Sequence, residues 1–84
     1  MKPEGEIGRE LKASELKPGT VVIVAPSCHP RAMLSVWVKA VDSKLVVFYA
    51  GELNLHIINF VQPDGSIQDD HGTVVRVYEY LGQA

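Results

Sequence analysis

Short runs of Val, Ile and aromatic residues, each interrupted by Gly, Pro, Asp or Asn, most constrain what this chain can fold into. The first run, residues 20–25, follows Pro18-Gly19 and stops at Pro26. Such a run is too short for a stable helix, and its β-branched residues favour a strand. The sequence therefore predicts an all-β body. Its predicted strands are 20–25, 34–41, 44–50, 55–62 and 73–81, with a brief return at 67–68.

Apolar residues are unevenly spread along the 84 residues. Only 5 of the first 20 residues are hydrophobic, against 34 of the last 64. A chain of this length has room for one core only. We therefore expect a flexible N-terminal arm over residues 1–15, with one turn of helix after Ser14, and a single domain over residues 16–84.

Five main strands with short connections and no helix between them favour a closed five-stranded barrel. The segment Leu-Lys-Pro-Gly-Thr-Val-Val at residues 16–22 resembles the loop and first strand of SH3-like small barrels. The resemblance implies an SH3-like fold for the domain. It carries no functional motif, so it implies no activity and no cofactor.

Composition argues against several classes of protein. A formal charge of −2 and a pI near 5.8 are unlike the basic surface that binds nucleic acid or anionic membranes. One cysteine makes neither an internal disulfide nor a thiolate zinc site. No apolar run approaches the length of a membrane span, and MKPEGEIGRE lacks the apolar core of a secretory signal. We expect a cytoplasmic protein without a membrane partner.

A hairpin closed on Asp42-Ser43 would place Val38 opposite Val47 and Trp37 opposite Phe48, and opposed side chains share a face. The predicted inner face is Val36, Val38, Ala40, Leu45, Val47 and Tyr49. The predicted outer face is Trp37, Val46 and Phe48, beside Lys39 and Lys44. Apolar residues also occupy both faces of two later predicted strands. In strand 55–62, Ile58 and Phe60 lie on the face that points away from the core. In strand 73–81, Tyr78 and Tyr80 lie on that face.

Strands that carry apolar residues on both faces need a second layer to cover the outer face, and we expect no helix in this chain to supply one. We therefore predict a non-enzymatic binding or assembly module that forms a homodimer or higher homo-oligomer, or binds a protein partner. The predicted interface residues are Trp37, Val46 and Phe48, with Tyr78 and Tyr80 as a second choice. In the alternative, the barrel curls so tightly that both rows are partly internal.

A second hypothesis is weak binding of RNA or another single strand, because Sm-like, Tudor-like and KOW-type barrels combine aromatic platforms with basic rims. Its residues would be Trp37, Lys39, Lys44 and Phe48. From residue 21 onward there are four basic residues against six acidic ones, which opposes this hypothesis.

A third hypothesis is an enzyme with its site across an oligomer interface. It requires His29, His56 or His71 to converge with Asp64, Asp69 or Asp70. Asp before Gly is an ordinary turn residue, and Cys28 beside His29 lacks the signature of a cysteine enzyme. The sequence therefore predicts no catalytic residue, no metal site and no cofactor.

Overall fold

The computed structural model describes residues 7–26 and 31–81. Within these ranges the chain forms one antiparallel sheet of seven strands and a single 3-10 turn, Ala13–Glu15. The strands are β1 (Ile7–Leu11), β2 (Val21–Pro26), β3 (Leu34–Val41), β4 (Leu45–Ala50), β5 (Leu55–Val61), β6 (Ile67–Gln68) and β7 (Val74–Tyr80). The prediction of a small all-β barrel is confirmed, and the bounds of the predicted strands agree with the observed ones to within about a residue.

The sheet closes on itself because β7 pairs with β2. β2 to β7 follow one another around the barrel in chain order, and β1 lies outside this ring of six. One edge of β7 pairs with β2. Its other edge is divided: Val74 and Val75 pair with β6, and the stretch from Val77 to Tyr80 pairs with β1. β1 and β6 therefore lie end to end along one strand.

The barrel interior is filled by aliphatic side chains around one aromatic ring, Phe48. Val, Ile and Ala from β2, β3, β4, β6 and β7 pack around that ring, as alternate residues of each strand point inward. The buried residues of this core are Ala13, Leu16, Val22, Val24, Val36, Val38, Val46, Phe48, Ala50, Ile67, Val75 and Val77.

The structure extends the sheet into the predicted arm. Residues 1–6 lie outside the described part of the chain, but Ile7–Leu11 form β1. The 3-10 turn begins at Ala13, before Ser14, and Ala13 is buried. The backbone N–H of Ala13 donates to the carbonyl of Gly65 at 3.1 Å, which ties this segment to the turn between β5 and β6.

The hairpin between β3 and β4 differs from its prediction at two points. Its two-residue loop is Ser43-Lys44, since the N–H of Asp42 donates to the carbonyl of Leu45 at 2.9 Å. The pairing then shifts by one residue between Val38 and Ala40. Lys39, which lies within that shift, and Ala40, which follows it, are both exposed. This β-bulge breaks the alternation of faces within β3.

The consequence is that the predicted outer placement of Val46 and Phe48 is wrong. Val38 lies opposite Phe48 and Val41 opposite Val46, so both β4 residues point inward and are 0% exposed. Ala40 and Leu45, predicted to be internal, are exposed instead, and Val47 and Tyr49 are half-buried. The placements of Val36 and Val38 inside and of Trp37 outside are confirmed.

Candidate interaction surface

The outer surface of β4 and β5 is apolar. Leu45 lies directly opposite Phe60, and Val47 opposite Ile58. Ile58 is 55% exposed, while Phe60 and Leu45 are 39% and 38% exposed. We call these four residues, Leu45, Val47, Ile58 and Phe60, the outer apolar patch. A single exposed apolar residue is ordinary on a protein surface. Apolar residues that pair across neighbouring strands are different, because they form a contiguous patch.

The sequence-predicted interface residues are separated in the structure. Trp37 is 48% exposed and lies opposite Val21 on one side and Tyr49 on the other. Tyr78 lies between Ile23 of β2 and Glu10 of β1. Tyr80 lies opposite Ile7 of β1, and both tyrosines are half-buried. Phe48 and Val46 are in the core, so they share the outer surface with neither Trp37 nor the two tyrosines.

Trp37 belongs to a row of ring-bearing side chains on the outer surface. Tyr49 lies opposite Trp37 in β3 and opposite His56 in β5. The rings of Tyr49 and His56 are tilted by 48° with centroids 5.0 Å apart. Nζ of Lys39 lies 5.7 Å from the centre of the Tyr49 ring, within the range of a cation–π contact. We call Trp37, Tyr49 and His56 the aromatic row.

Several charged side chains are held in surface pairs at some distance from the patch. Arg9 bonds to Glu15 at 2.7 Å, and Arg76 bonds to Glu10 at 3.2 Å. The Arg9 guanidinium and the N–H of Lys12 hold the pKa of Glu15 below its ordinary value. These pairs fasten β1 to the 3-10 turn and to β7.

Two aspartates of the enzyme hypothesis, Asp64 and Asp69, accept hydrogen bonds within their own turns. Oδ1 of Asp69 accepts the N–H groups of His71 and Thr73, each at 2.9 Å. Oδ1 of Asp64 accepts the hydroxyl of Ser66 at 2.7 Å and its N–H at 3.0 Å, which lowers the Asp64 pKa. Among residues 7–26 and 31–81, no three His, Cys, Asp or Glu side chains are grouped to hold a metal ion.

The remaining chemical candidates do not assemble into a site within the described ranges. Cys28 and His29 lie outside those ranges. His71 contacts Asp70 at 3.6 Å on an exposed turn, whereas His56 lies in the aromatic row beside Tyr49. Asn59 is a buried polar residue, 3% exposed, and points inward opposite Val46.

Two clefts of equal volume flank the N-terminal segment, beside a smaller one of about 220 Å³ between Leu11 and Tyr80. One, of about 460 Å³, lies between the 3-10 turn and two hairpin turns and is lined by Ala13, Leu16, Val41 and Val61 among others. The other, also about 460 Å³, lies where β1 meets β6 and includes Glu10, Lys12, Asp64 and Ser66. Glu10 pairs with Arg76 and Asp64 with Ser66, so both carboxylates are already engaged.

The sequence predicted two of the four residues of the outer apolar patch, Ile58 and Phe60, to face outward. Ile58 and Phe60 were placed on the outer surface correctly, because strand alternation assigns Ile57 and Val61 to the core row and Ile58 and Phe60 to the other row. Residues 45–50 are all apolar, so nothing in that run indicates which residues point inward. Comparison of the chain with protein-family models, with curated proteins and with experimentally determined structures finds no match. No helix in the described part of the chain is long and apolar enough to cross a membrane.

Proposed function

We propose that this chain is a non-enzymatic assembly module that binds a second copy of itself through the outer apolar patch. The observation that carries the proposal is the pairing of Leu45 with Phe60 and of Val47 with Ile58 on the outside of the barrel. Burying apolar surface of this kind is worth about 25 cal/mol for each Å² removed from water.

A second copy is the occupant that fits this patch. Its four side chains are uncharged and carry no polar group that would select a partner of particular chemistry. Strands that are apolar on both faces are usually covered by a second layer. The helical element among residues 7–26 and 31–81 is the 3-10 turn, which packs at the barrel end and leaves β4 and β5 uncovered.

The barrel is proposed to belong to the SH3-like class. Support comes from the opening segment 16–22, from the meander of β2 to β5 and from the return of β7 to β2. A fold class by itself does not carry a function. The assembly role rests on the outer apolar patch and would stand in another small-barrel class.

Sedimentation equilibrium tests the assembly role. A patch of four residues is small beside the roughly 800 Å² per partner of a standard interface, so the association is expected between about 10 µM and 1 mM. The double variant Leu45→Ser/Phe60→Ser should lose the association through the patch and sediment with a lower average mass than the unmodified chain, whose monomer is 9.2 kDa. Leu53→Ser is the matched control, because Leu53 is 58% exposed in the turn outside the patch.

The control variant should associate like the unmodified chain. A monomeric unmodified protein up to about 1 mM would overturn the proposal. Association that the double variant leaves unchanged would also overturn it, because the interface would then lie elsewhere.

A second candidate function is weak single-strand binding on the aromatic row. The observation that favours it is Lys39 beside the Tyr49 ring, with Trp37 and His56 on either side of that ring. Bases stack on such rings, and a nearby cation attracts the phosphate. Compared with the sequence hypothesis, Tyr49 and His56 take the place of Phe48, which is buried.

Trp37 is the single tryptophan, so its fluorescence reports this binding directly. Quenching by a mixed-sequence single strand at low salt, reduced by Lys39→Glu, would support the candidate. Unchanged fluorescence and anisotropy would exclude it.

A further inference from the structure

β5 has one edge that is paired along its length and one that is mostly open. On one side, Leu55 to Phe60 pair with β4. On the other, β6 pairs only with Phe60 and Val61. Within the described ranges, no strand pairs with residues 55–59 on that side. Five residues of β5 are therefore an edge of the barrel.

The backbone groups at this edge follow from the pairing with β4. The N–H of Val61 donates to the carbonyl of Lys44 at 2.8 Å, so these two residues form a hydrogen-bonded pair. Hydrogen-bonded and non-hydrogen-bonded pairs alternate along an antiparallel ladder. His56 and Ile58 therefore fall in non-hydrogen-bonded pairs with β4, and their N–H and C=O groups point to the open edge.

This edge lacks the features that normally prevent strands from pairing. Exposed edges are usually blocked by charged residues, proline or bulges. β1 illustrates such protection: its register is irregular between Ile7 and Glu10, and Arg9 and Glu10 are charged. Residues 55–59, Leu-His-Ile-Ile-Asn, contain no Lys, Arg, Asp, Glu or Pro and pair regularly with β4. Leu55 is 49% exposed and Ile58 is 55% exposed.

We propose that β5 pairs antiparallel with β5 of a second copy, across a two-fold axis beside Ile57. His56 then lies opposite Ile58 of the partner subunit, and Ile58 opposite the partner's His56. Each of these two pairs exchanges both backbone hydrogen bonds, while Ile57 meets its own copy in the non-hydrogen-bonded position. The two outward-pointing residues lie symmetrically about Ile57, so one two-fold axis pairs both of them, and the outer apolar patch beside this edge favours a second copy as the occupant.

This inference rests on the proposed function and gives it a geometry. Opposed residues share a face, so edge pairing places the outer apolar patches of both copies on the same side of one continuous sheet. The joined patch has twice the area of a single one. Two edge-paired dimers that pack through their joined patches form a tetramer with two kinds of two-fold interface.

Two substitutions separate the interfaces. His56→Pro removes the N–H that points to the open edge and leaves the hydrogen-bonded pairs with β4 in place, and proline is tolerated at edges. His56→Ala retains the N–H and is its control. Phe60→Ser weakens the patch. Sedimentation equilibrium at high concentration should find a tetramer for the unmodified chain and for His56→Ala, a dimer for His56→Pro and for Phe60→Ser, and a monomer for His56→Pro/Phe60→Ser.

Amide exchange with deuterium, followed by NMR on the unmodified protein, tests the edge without any substitution. The amides of His56 and Ile58 should exchange at least about tenfold more slowly in the assembled protein than in the dilute monomer. The amide of Val61 should be protected at both concentrations, because its bond to Lys44 lies within the monomer.

The outcomes distinguish the two proposals. A dimer that is insensitive to His56→Pro, with unprotected amides at His56 and Ile58, overturns edge pairing and leaves the patch as the interface. A dimer that Phe60→Ser leaves intact and His56→Pro abolishes overturns the patch and keeps edge pairing. A protein that is monomeric throughout overturns both.

Discussion

The hydroxyl of Tyr49 donates a hydrogen bond to Oδ1 of Asn54 at 2.9 Å, across the turn that joins β4 to β5. Asn54 has a φ of 49°, in the left-handed region that non-glycine residues rarely occupy. Asn tolerates this conformation better than most residues, and the bond from Tyr49 adds to its preference for the site. The turn thereby fixes where β5 begins.

Asn54→Ala should therefore destabilise the fold by about 1–2 kcal/mol, because alanine meets the left-handed backbone cost and loses the hydrogen bond. Asn54→Gly removes only the bond, so it should cost less, as should Tyr49→Phe. Urea unfolding of the three variants gives this ranking. Equal losses for Ala and Gly would show that the backbone conformation contributes nothing.

Phe48 and Phe60 are a matched pair for testing the placement of β4. Phe48 is 0% exposed at the centre of the core, and Phe60 is 39% exposed on the outer surface. Phe48→Ala should cost about 3–5 kcal/mol of unfolding free energy, because it leaves a cavity. Phe60→Ala should cost the dilute monomer about 1 kcal/mol or less. The reverse order in chemical denaturation would contradict the one-residue register shift at the bulge.

Gly8 lies where β1 approaches β7 closely. A Cβ at this position would be 2.8 Å from Cβ of Glu79 and 3.1 Å from Cδ2 of Leu81. Gly8→Ala should therefore displace β1 and cost about 1–3 kcal/mol, as is usual for overpacking. Gly51→Ala is the control, since its nearest neighbour, Cε2 of Tyr49, would be 3.7 Å away. Thermal unfolding of both variants measures the difference, and equal midpoints would contradict the close approach.

Three carboxylates make the stability of the fold depend on pH. In Glu15, Asp42 and Asp64, hydrogen bonds to the ionised form lower the pKa below the ordinary range near 4. For Asp42 the donors are the N–H groups of Lys44 and Leu45, at 2.7 and 2.8 Å. A carboxyl with a lowered folded-state pKa stabilises the fold at pH values above its unfolded-state pKa.

The free energy of unfolding should therefore be level above about pH 5 and should fall as the pH drops through the lowered pKa values. Asp42→Asn should flatten this fall, because the amide does not titrate. Urea unfolding between pH 7 and pH 3 follows both proteins. An identical slope for the two would exclude Asp42 as a contributor.

The course of the chain could be predicted from sequence because each strand is bounded by residues with a definite backbone preference. Pro18-Gly19, Asp64-Gly65 and His71-Gly72 mark turns, and Gly19, Gly65 and Gly72 all have positive φ. In β5, the alternation that places Ile57 and Val61 in the core row correctly placed Ile58 and Phe60 outward, although the polar residue between them, Asn59, is itself buried. In β7, Arg76 between Val75 and Val77 marks the outward row, and its guanidinium pairs with Glu10 on the surface.

The outer apolar patch was harder to predict, because one extra residue in β3, at the bulge, decides which residues of β4 point outward. Leu45 to Ala50 are apolar at every position, so the faces of β4 depend entirely on its pairing with β3. That pairing shifts at the bulge beside Lys39, and no local propensity marks the site of a bulge. β1 was missed for a different reason: Gly8, Arg9 and Glu10 have no strand-like alternation, and this strand forms through its pairing with β7.

The three-way pairing of β7 has a consequence for how the molecule is made. The pairing of β2 with β7, which joins Val22 to Glu79, closes the barrel. β6 and β1 also form their ladders with β7, so neither can pair until that strand is present. During synthesis the valine-rich inner face of β2 to β5 must therefore stay uncovered until residues 74–80 have left the ribosome. Contacts between such distant residues form slowly, and uncovered strands are prone to aggregate. The nascent chain is thus most in need of chaperone protection just before β7 appears.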